Sequence, residues 1–344
     1  MKEKRINAAI SCKILILCSV LFALIITSIA ACGADEKGSD TSDTTQTATD
    51  SAVKDDESTS GEESIGTDEV KDTDVRTDTQ DNETTEPTPD ESDENTVVYV
   101  ALGDSICRGY GLDNADVERY SARLREMLAL DMPSYNFVEY NYGVNGQTST
   151  ELIDYISNGN TPMLRGADIV TVSIGANNVL SPTIDMIAQY SVLSTVTDES
   201  LRNASLPSLF TNFKIKTDDG IADFSVDLPK IVSSIRELAP DAKIIIQTIY
   251  NPYKSLDDVL DFVDTKVLVR EMSDELVSRL NSIIKENASS LGYTVADVYS
   301  AFADVYDVIN AEYAENEAFA GYDPHPNKKG HQLIAETIYS VLTN

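Results

Sequence analysis

From Thr96 onward the chain alternates between two textures. Residues 97–102 form a short continuous apolar run, the pattern of a strand buried on both faces. Similar runs recur at 137–140, 169–174, 243–250 and 293–298. Between them, residues 117–130, 148–157, 228–238, 266–291 and 300–315 space their apolar positions as amphipathic helices do, and 328–342 reads as a closing helix. Strands alternating with helices predict βαβ units, hence an α/β fold with a mainly parallel sheet. In such sheets the ligand site lies at the carboxyl ends of the strands. The residues just after each strand are therefore where chemistry is to be sought.

The first 96 residues read differently. Lys2, Lys4, Arg5 and Lys13 precede the apolar run 14–26, a positive n-region followed by an h-region. At 13 residues this run is short for a membrane span, which takes about 20. Ile29-Ala30-Ala31-Cys32-Gly33 then resembles the lipobox of bacterial lipoproteins. That resemblance implies a lipoprotein signal peptide at 1–31 and an acylated Cys32 as first residue of the mature chain. The protein would then be exported and lipid-anchored to the cell membrane on its extracellular face. The alternative is an ordinary cleaved signal, or an uncleaved anchor, with Cys32 incidental. Cys12 and Cys18 would leave with the signal, so Cys107 is the only cysteine of the domain and is expected to pack as a small apolar group.

Residues 33–96 carry 22 Asp/Glu against 4 Lys/Arg, and 21 of the 64 positions are Ser or Thr. Such a segment cannot bury enough apolar surface to offset its ordering entropy. The expected organisation is thus signal 1–31, a disordered acidic linker 32–96, and one globular domain, 97–344. The formal net charge of −32 argues against nucleic acid and anionic membrane surfaces as partners. Two histidines and four cysteines argue against a structural zinc site. No glycine-rich loop is followed by Lys-Ser/Thr, so a P-loop is missing.

The strand ends supply candidates, each with an ordinary alternative. Gly103-Asp104-Ser105 follows the first strand: a serine on a tight turn can present its hydroxyl and its N–H, or simply make a turn or N-cap. Gly146 precedes a helix start and could offer a bare N–H, or serve a turn capped by Thr148 or Ser149. Asn177 follows the third strand and could donate to an oxyanion, or form an Asx turn. Only His325 and His331 could supply an imidazole base. His325 sits between two prolines beside Asp323, whereas His331 falls inside the helical pattern and is expected to pack or cap.

Together these blocks resemble the SGNH hydrolases, also called GDSL esterases and lipases. The residues that carry the resemblance are Gly103-Asp104-Ser105 followed by Arg108-Gly109-Tyr110-Gly111, then Gly146, Gly175-x-Asn177 and His325-Pro326-Asn327-x-x-Gly330-His331, in family order across 97–344. The resemblance implies a flavodoxin-like three-layer α/β/α sandwich, with Ser105 as nucleophile and His325 as general base. The Ser105 N–H, the Gly146 N–H and the Asn177 amide would form the oxyanion hole. Residues 249–253 also look like a branch of this family. Two positions depart from its pattern. Asn178 stands where an acid is usual, with little effect expected. The family's acid sits three residues before the histidine, where this chain has Tyr322; the nearest acid, Asp323, is two before. Asp323 is expected within hydrogen-bond reach of His325 Nδ1. The rival is a Ser105–His325 dyad with a backbone carbonyl orienting the ring.

The implied function is a surface-tethered serine esterase acting through an acyl-enzyme on a carboxylic ester. Candidate substrates are an acetylated glycan, a lysophospholipid or a short acyl ester. The alternatives are an acyltransferase on cell-wall polymer with the same site, or a non-catalytic glycan-binding lipoprotein. The chemistry requires neither a metal nor an organic cofactor. Residues 180–221, with the apolar cluster Leu206, Leu209, Phe210 and Phe213, are read either as a lid or as a pair of structural helices.

Overall fold

The structure, a computed structural model, describes residues 95–255, 259–310 and 323–343. The signal segment 1–31, Cys32, all of the linker before Asn95, and Tyr322 lie outside the described residues. Five parallel strands form the main sheet: β1 Thr96–Gly103, β2 Asn136–Gly143, β3 Ile169–Ser173, β4 Lys243–Gln247 and, last in the chain, β7 Thr294–Ala296. Their spatial order is β2-β1-β3-β4-β7, the flavodoxin-like order. Chain order reverses between β1 and β3, so a crevice opens at their carboxyl ends.

Period-two alternation divides each strand between two cores. Val100 and Leu102 of β1, Val170 and Val172 of β3, and Ile244 and Ile246 of β4 join one apolar cluster. This cluster holds residues of α4 (Ser149–Ser157), α5 (Ala176–Ser194), α6 (Glu199–Leu238) and α7 (Val269–Leu291). Tyr99, Ala101, Ile169 and Ile245 join the other, with residues of α3 (Tyr120–Asp131), α8 (Val298–Ala303) and α9 (Lys328–Thr343). The result is the three-layer α/β/α sandwich. Because both faces are covered, the strands need the continuous apolar runs seen in the sequence.

Several predicted boundaries move. The stretch 117–130 is two helices, α2 (Ala115–Glu118) and α3, because Arg119 turns extended and pairs with Asp116 and Glu139 at 2.7 and 3.1 Å. Residues 266–268 are not helical. They form β6 (Lys266–Leu268), antiparallel to β5 (Val259–Asp261), before α7 starts. The predicted strand 243–250 ends at Gln247, since the Asn281 amide takes both the N–H and the C=O of Ile249 at 2.7 Å. The predicted strand 293–298 shortens to β7. The helix expected over 300–315 is α8, which stops at Ala303; Asp307 then takes a left-handed conformation, φ 61°, and 311–315 lie outside the described residues.

The stretch 180–221 is helical apart from residues 195–198. It is occupied by α5 and by α6, a 40-residue helix of which the predicted 228–238 is the last part. Leu206, Leu209 and Phe213 are buried, and Phe210 stacks on Phe262 of the β5–β6 hairpin at 4.7 Å. Burying each such side chain stabilises the fold by roughly 2 kcal/mol.

Candidate active site

At the carboxyl end of β1 the backbone must pass very close to β3. A Cβ on Gly103 would lie 2.0 Å from the Ser173 carbonyl oxygen, which accepts the Asp104 N–H at 3.0 Å. Only glycine permits that approach at φ +140°. Asp104 then caps a one-turn helix, α1 (Ser105–Arg108), by accepting the Ile106 N–H at 3.0 Å. Burial pushes the Asp104 carboxyl up to about 6, against the opposing pull of that bond. Ser105 is thereby held as the first residue of α1, in the crevice.

The loop ahead of α9 brings the histidine. Ser105 Oγ lies 2.9 Å from His325 Nε2, and His325 Nδ1 lies 2.7 Å from Asp323 Oδ1. Asp323 Oδ1 also accepts the His325 backbone N–H at 3.0 Å, and Oδ2 accepts from Asn310 Nδ2 at 2.9 Å. Asn310 further donates its backbone N–H to His325 O at 2.9 Å. Tyr250 OH donates to Pro324 O at 2.6 Å, and the Tyr110 ring lies 4.7 Å from the imidazole. Burial pushes the Asp323 carboxyl up, but the His325 ring, its charge, its backbone N–H and Asn310 outweigh it. The carboxyl ends below its ordinary range. An ionised Asp323 leaves the Nδ1 proton in place and makes Nε2 the acceptor for the Ser105 hydroxyl.

Ser105, Asn177 and His325 line one cavity. Asn177 is buried, and its Nδ2 donates to Gln147 O at 3.0 Å. An amide nitrogen has two hydrogens, so one remains for an oxyanion. Gly146 is left-handed, φ +78°, and does not line that cavity; it borders a neighbouring groove with Tyr155 and Asn158. It is tied to the site through the Gln147–Asn177 bond next to it in the chain.

Three side chains near these blocks do other work. Cys107 is buried in the core and its thiol is pushed up to about 12 by burial, which makes it a poor nucleophile. His331 is fully buried, with Nδ1 accepting the Tyr120 N–H at 3.2 Å, and burial holds its imidazole down at about 3. Asn178 is a fastener: it accepts the Ser149 N–H at 3.1 Å and donates to Ser149 Oγ at 2.8 Å and Gly220 O at 3.2 Å. An aspartate there could make neither donation. Asn310 carried no sequence signal, because it belongs to no motif; Tyr110 lay in the Arg108–Gly111 block, but nothing local connects it to His325. Tyr250 lay in a noted segment, but nothing local connects it to Pro324.

Residues 101–333 match the GDSL-like lipase/acylhydrolase family. The chain is 23% identical over 247 residues to the uncharacterized protein YpmR of Bacillus subtilis (strain 168), covering 72% of this chain and 81% of that one. Among solved structures, it is similar to the lipase Lip_vut3 from a goat rumen metagenome at 16% identity, with a TM-score of 0.49 over 71% of this chain and 96% of that chain. It is also similar to phospholipase A1 from Streptomyces albidoflavus NA297 at 19% identity, with a TM-score of 0.47 over 71% of this chain and 98% of that chain. With the family match spanning more than half of its length, this chain belongs to the GDSL-like lipase/acylhydrolase family.

Proposed function

We propose that the protein is a serine esterase that works through an acyl-enzyme. The observation that carries this reading is the unbroken hydrogen-bond path Ser105–His325–Asp323, at 2.9 and 2.7 Å. His325 Nε2 takes the Ser105 proton as Oγ bonds to the ester carbonyl carbon. The resulting oxyanion is met by the Ser105 N–H and the free Asn177 amide hydrogen; the Gly146 N–H, which the family resemblance adds as a third donor, would have to reach it from the bordering groove. The C–O bond to the alcohol then breaks, and the alcohol leaves with the proton held by His325. A water, deprotonated by His325, attacks the acyl carbon, and Ser105 regains its proton as the acid departs. Asp323 keeps the ring in the productive tautomer and stabilises the imidazolium. In this reading residues 1–31 export the chain, Cys32 anchors it by lipid outside the cell, and the acidic stretch 32–96 spaces domain 97–344 from the membrane.

The test is chemical. A fluorophosphonate should label the wild-type domain at Ser105, the domain should cleave p-nitrophenyl esters, and Ser105→Ala should lose both properties. Labelling that survives in Ser105→Ala sinks the assignment.

A further inference from the structure

Ser105 and His325 stand at one end of a cavity whose walls are otherwise largely apolar. Helix α5 contributes Ala176, Val179, Leu180 and Thr183, a spacing that sets all four on one face of the helix. Helix α7 contributes Leu276 and Val277 from across the cavity. Exposure falls along its length. Ser105, Ala176 and His325 are partly exposed, whereas Thr183, Leu276 and Val277 are only 6%, 6% and 5% exposed. The cavity is thus exposed on the side of Ser105 and His325 and buried where Thr183, Leu276 and Val277 line it. Two hydroxyls line that part: the Thr183 hydroxyl donates to the Val179 carbonyl of its own helix at 2.7 Å, and Ser273 stands one turn before Leu276 and Val277 on α7.

The cavity has a volume of about 60 Å³. A dry apolar cavity of about 150 Å³ holds one benzene, so this one has room for about two to three carbons. Water is a poor occupant, since a buried water needs two to four polar partners. Methylene groups are close to water in bulk, need no partners, and gain by leaving solvent.

We infer that this cavity is the acyl site, closed at Thr183, Leu276 and Val277, and that it takes an unbranched alkyl chain of about two to three carbons beyond the ester carbonyl. The inference rests on the esterase reading of Ser105. It narrows the substrate to esters of short aliphatic acids. Acetyl esters leave part of the space unfilled, and long-chain esters overrun the closed end. Each methylene that fits should raise kcat/KM about fourfold, until the end wall is reached.

The test uses two series on the intact domain. p-Nitrophenyl esters from acetate to dodecanoate vary the acyl chain at constant alcohol; alkyl acetates vary the alcohol at constant acyl group. The expected kcat/KM peaks at propanoate to butanoate, at least threefold above acetate and tenfold above dodecanoate, and the alkyl acetates show no such peak. Val277→Phe should move the peak to acetate, and Leu276→Ala toward pentanoate and hexanoate. Thermal unfolding of each variant establishes that it is folded, and Thr183→Leu repeats the shortening from the α5 side. A wild-type profile that is flat or highest on acetate, while fluorophosphonate still labels Ser105, overturns the acyl site and leaves the esterase standing. A chain-length peak in the alcohol series instead of the acyl series overturns it too, by putting the alcohol in the cavity. Cleavage of no ester, with no labelling of Ser105, removes the esterase reading and this inference with it.

Discussion

One oxygen of Asp323 holds His325 at two points: Oδ1 accepts from the ring Nδ1 at 2.7 Å and from the backbone N–H at 3.0 Å. Two-residue spacing allows this because an aspartate side chain readily bonds a backbone N–H two positions on. The same oxygen then orients both the loop and the ring, which frees Oδ2 for Asn310. If this orients the base, Asp323→Asn should cut kcat by about 10³–10⁴, with an unchanged circular dichroism spectrum. Asn310→Ala acts one bond further out and should lower kcat about tenfold with KM nearly constant. Full activity in a folded Asp323→Asn protein would leave Ser105–His325 as a dyad.

Asn177→Asp keeps the shape of the side chain but removes its donors. Steady-state kinetics on the preferred p-nitrophenyl ester should then show kcat reduced by about 10²–10³ and KM little changed. A variant that lost KM alone would place Asn177 in substrate binding and outside the oxyanion hole.

Gly103→Ala should destabilise the domain by at least about 3 kcal/mol, read from the shift in denaturant midpoint, because its Cβ would meet the Ser173 carbonyl at 2.0 Å at φ +140°. Gly159→Ala is the control. Its φ is +75°, but nothing lies within 4 Å of the added carbon, so about 1 kcal/mol should be lost. Equal costs at the two positions would mean that the β1–β3 contact is not what requires glycine.

Stability should fall steeply with acid. His331 is held down at about 3 by burial, from an ordinary 6.5, so the fold favours its neutral form. That contribution is present above pH 6.5 and is lost as pH falls toward 3, on the order of 5 kcal/mol in all. Asp104 acts in the opposite sense. Its carboxyl is raised from 3.8 to about 6, so its share of stability is present below 3.8 and is lost as pH rises through 6. In His331→Asn the new Oδ1 can still accept the Tyr120 N–H while the titration is gone. The urea midpoint of that variant should vary less between pH 6.5 and 3 than that of the wild type. An unchanged slope would assign acid unfolding elsewhere.

For the proposed anchor, cells fed a labelled fatty acid should incorporate it into the wild-type chain, and Cys32→Ala should abolish incorporation. Equal label in both forms would remove the anchor and leave an ordinary signal segment.

Local information was enough for the fold class. Continuous apolar runs separated by helical periodicity already demand strands covered on both faces, because burial acts residue by residue along the chain. Gly103-Asp104-Ser105, Gly175-x-Asn177 and His325 were legible for a related reason. Turns at strand ends and a proline-bounded histidine are short-range features. Arg119 turning extended, the β5–β6 hairpin and the end of β4 at Gln247 were not legible. Each depends on a partner distant in sequence: Glu139 for Arg119, the α6 aromatics for the hairpin, and Asn281 for Ile249.

The same division runs through the site. The sequence by itself determined which residue types stand at the strand ends, and that one acid lies close to His325. It could not place Ser105 and His325, 220 positions apart, at 2.9 Å, nor call on Asn310 to hold the acid. Nor could it show that α5 and α7 close an apolar cavity beside Ser105. Those distances arise only when the parallel sheet gathers its carboxyl ends on one edge, since contact across the sheet is a property of packing and not of spacing along the chain.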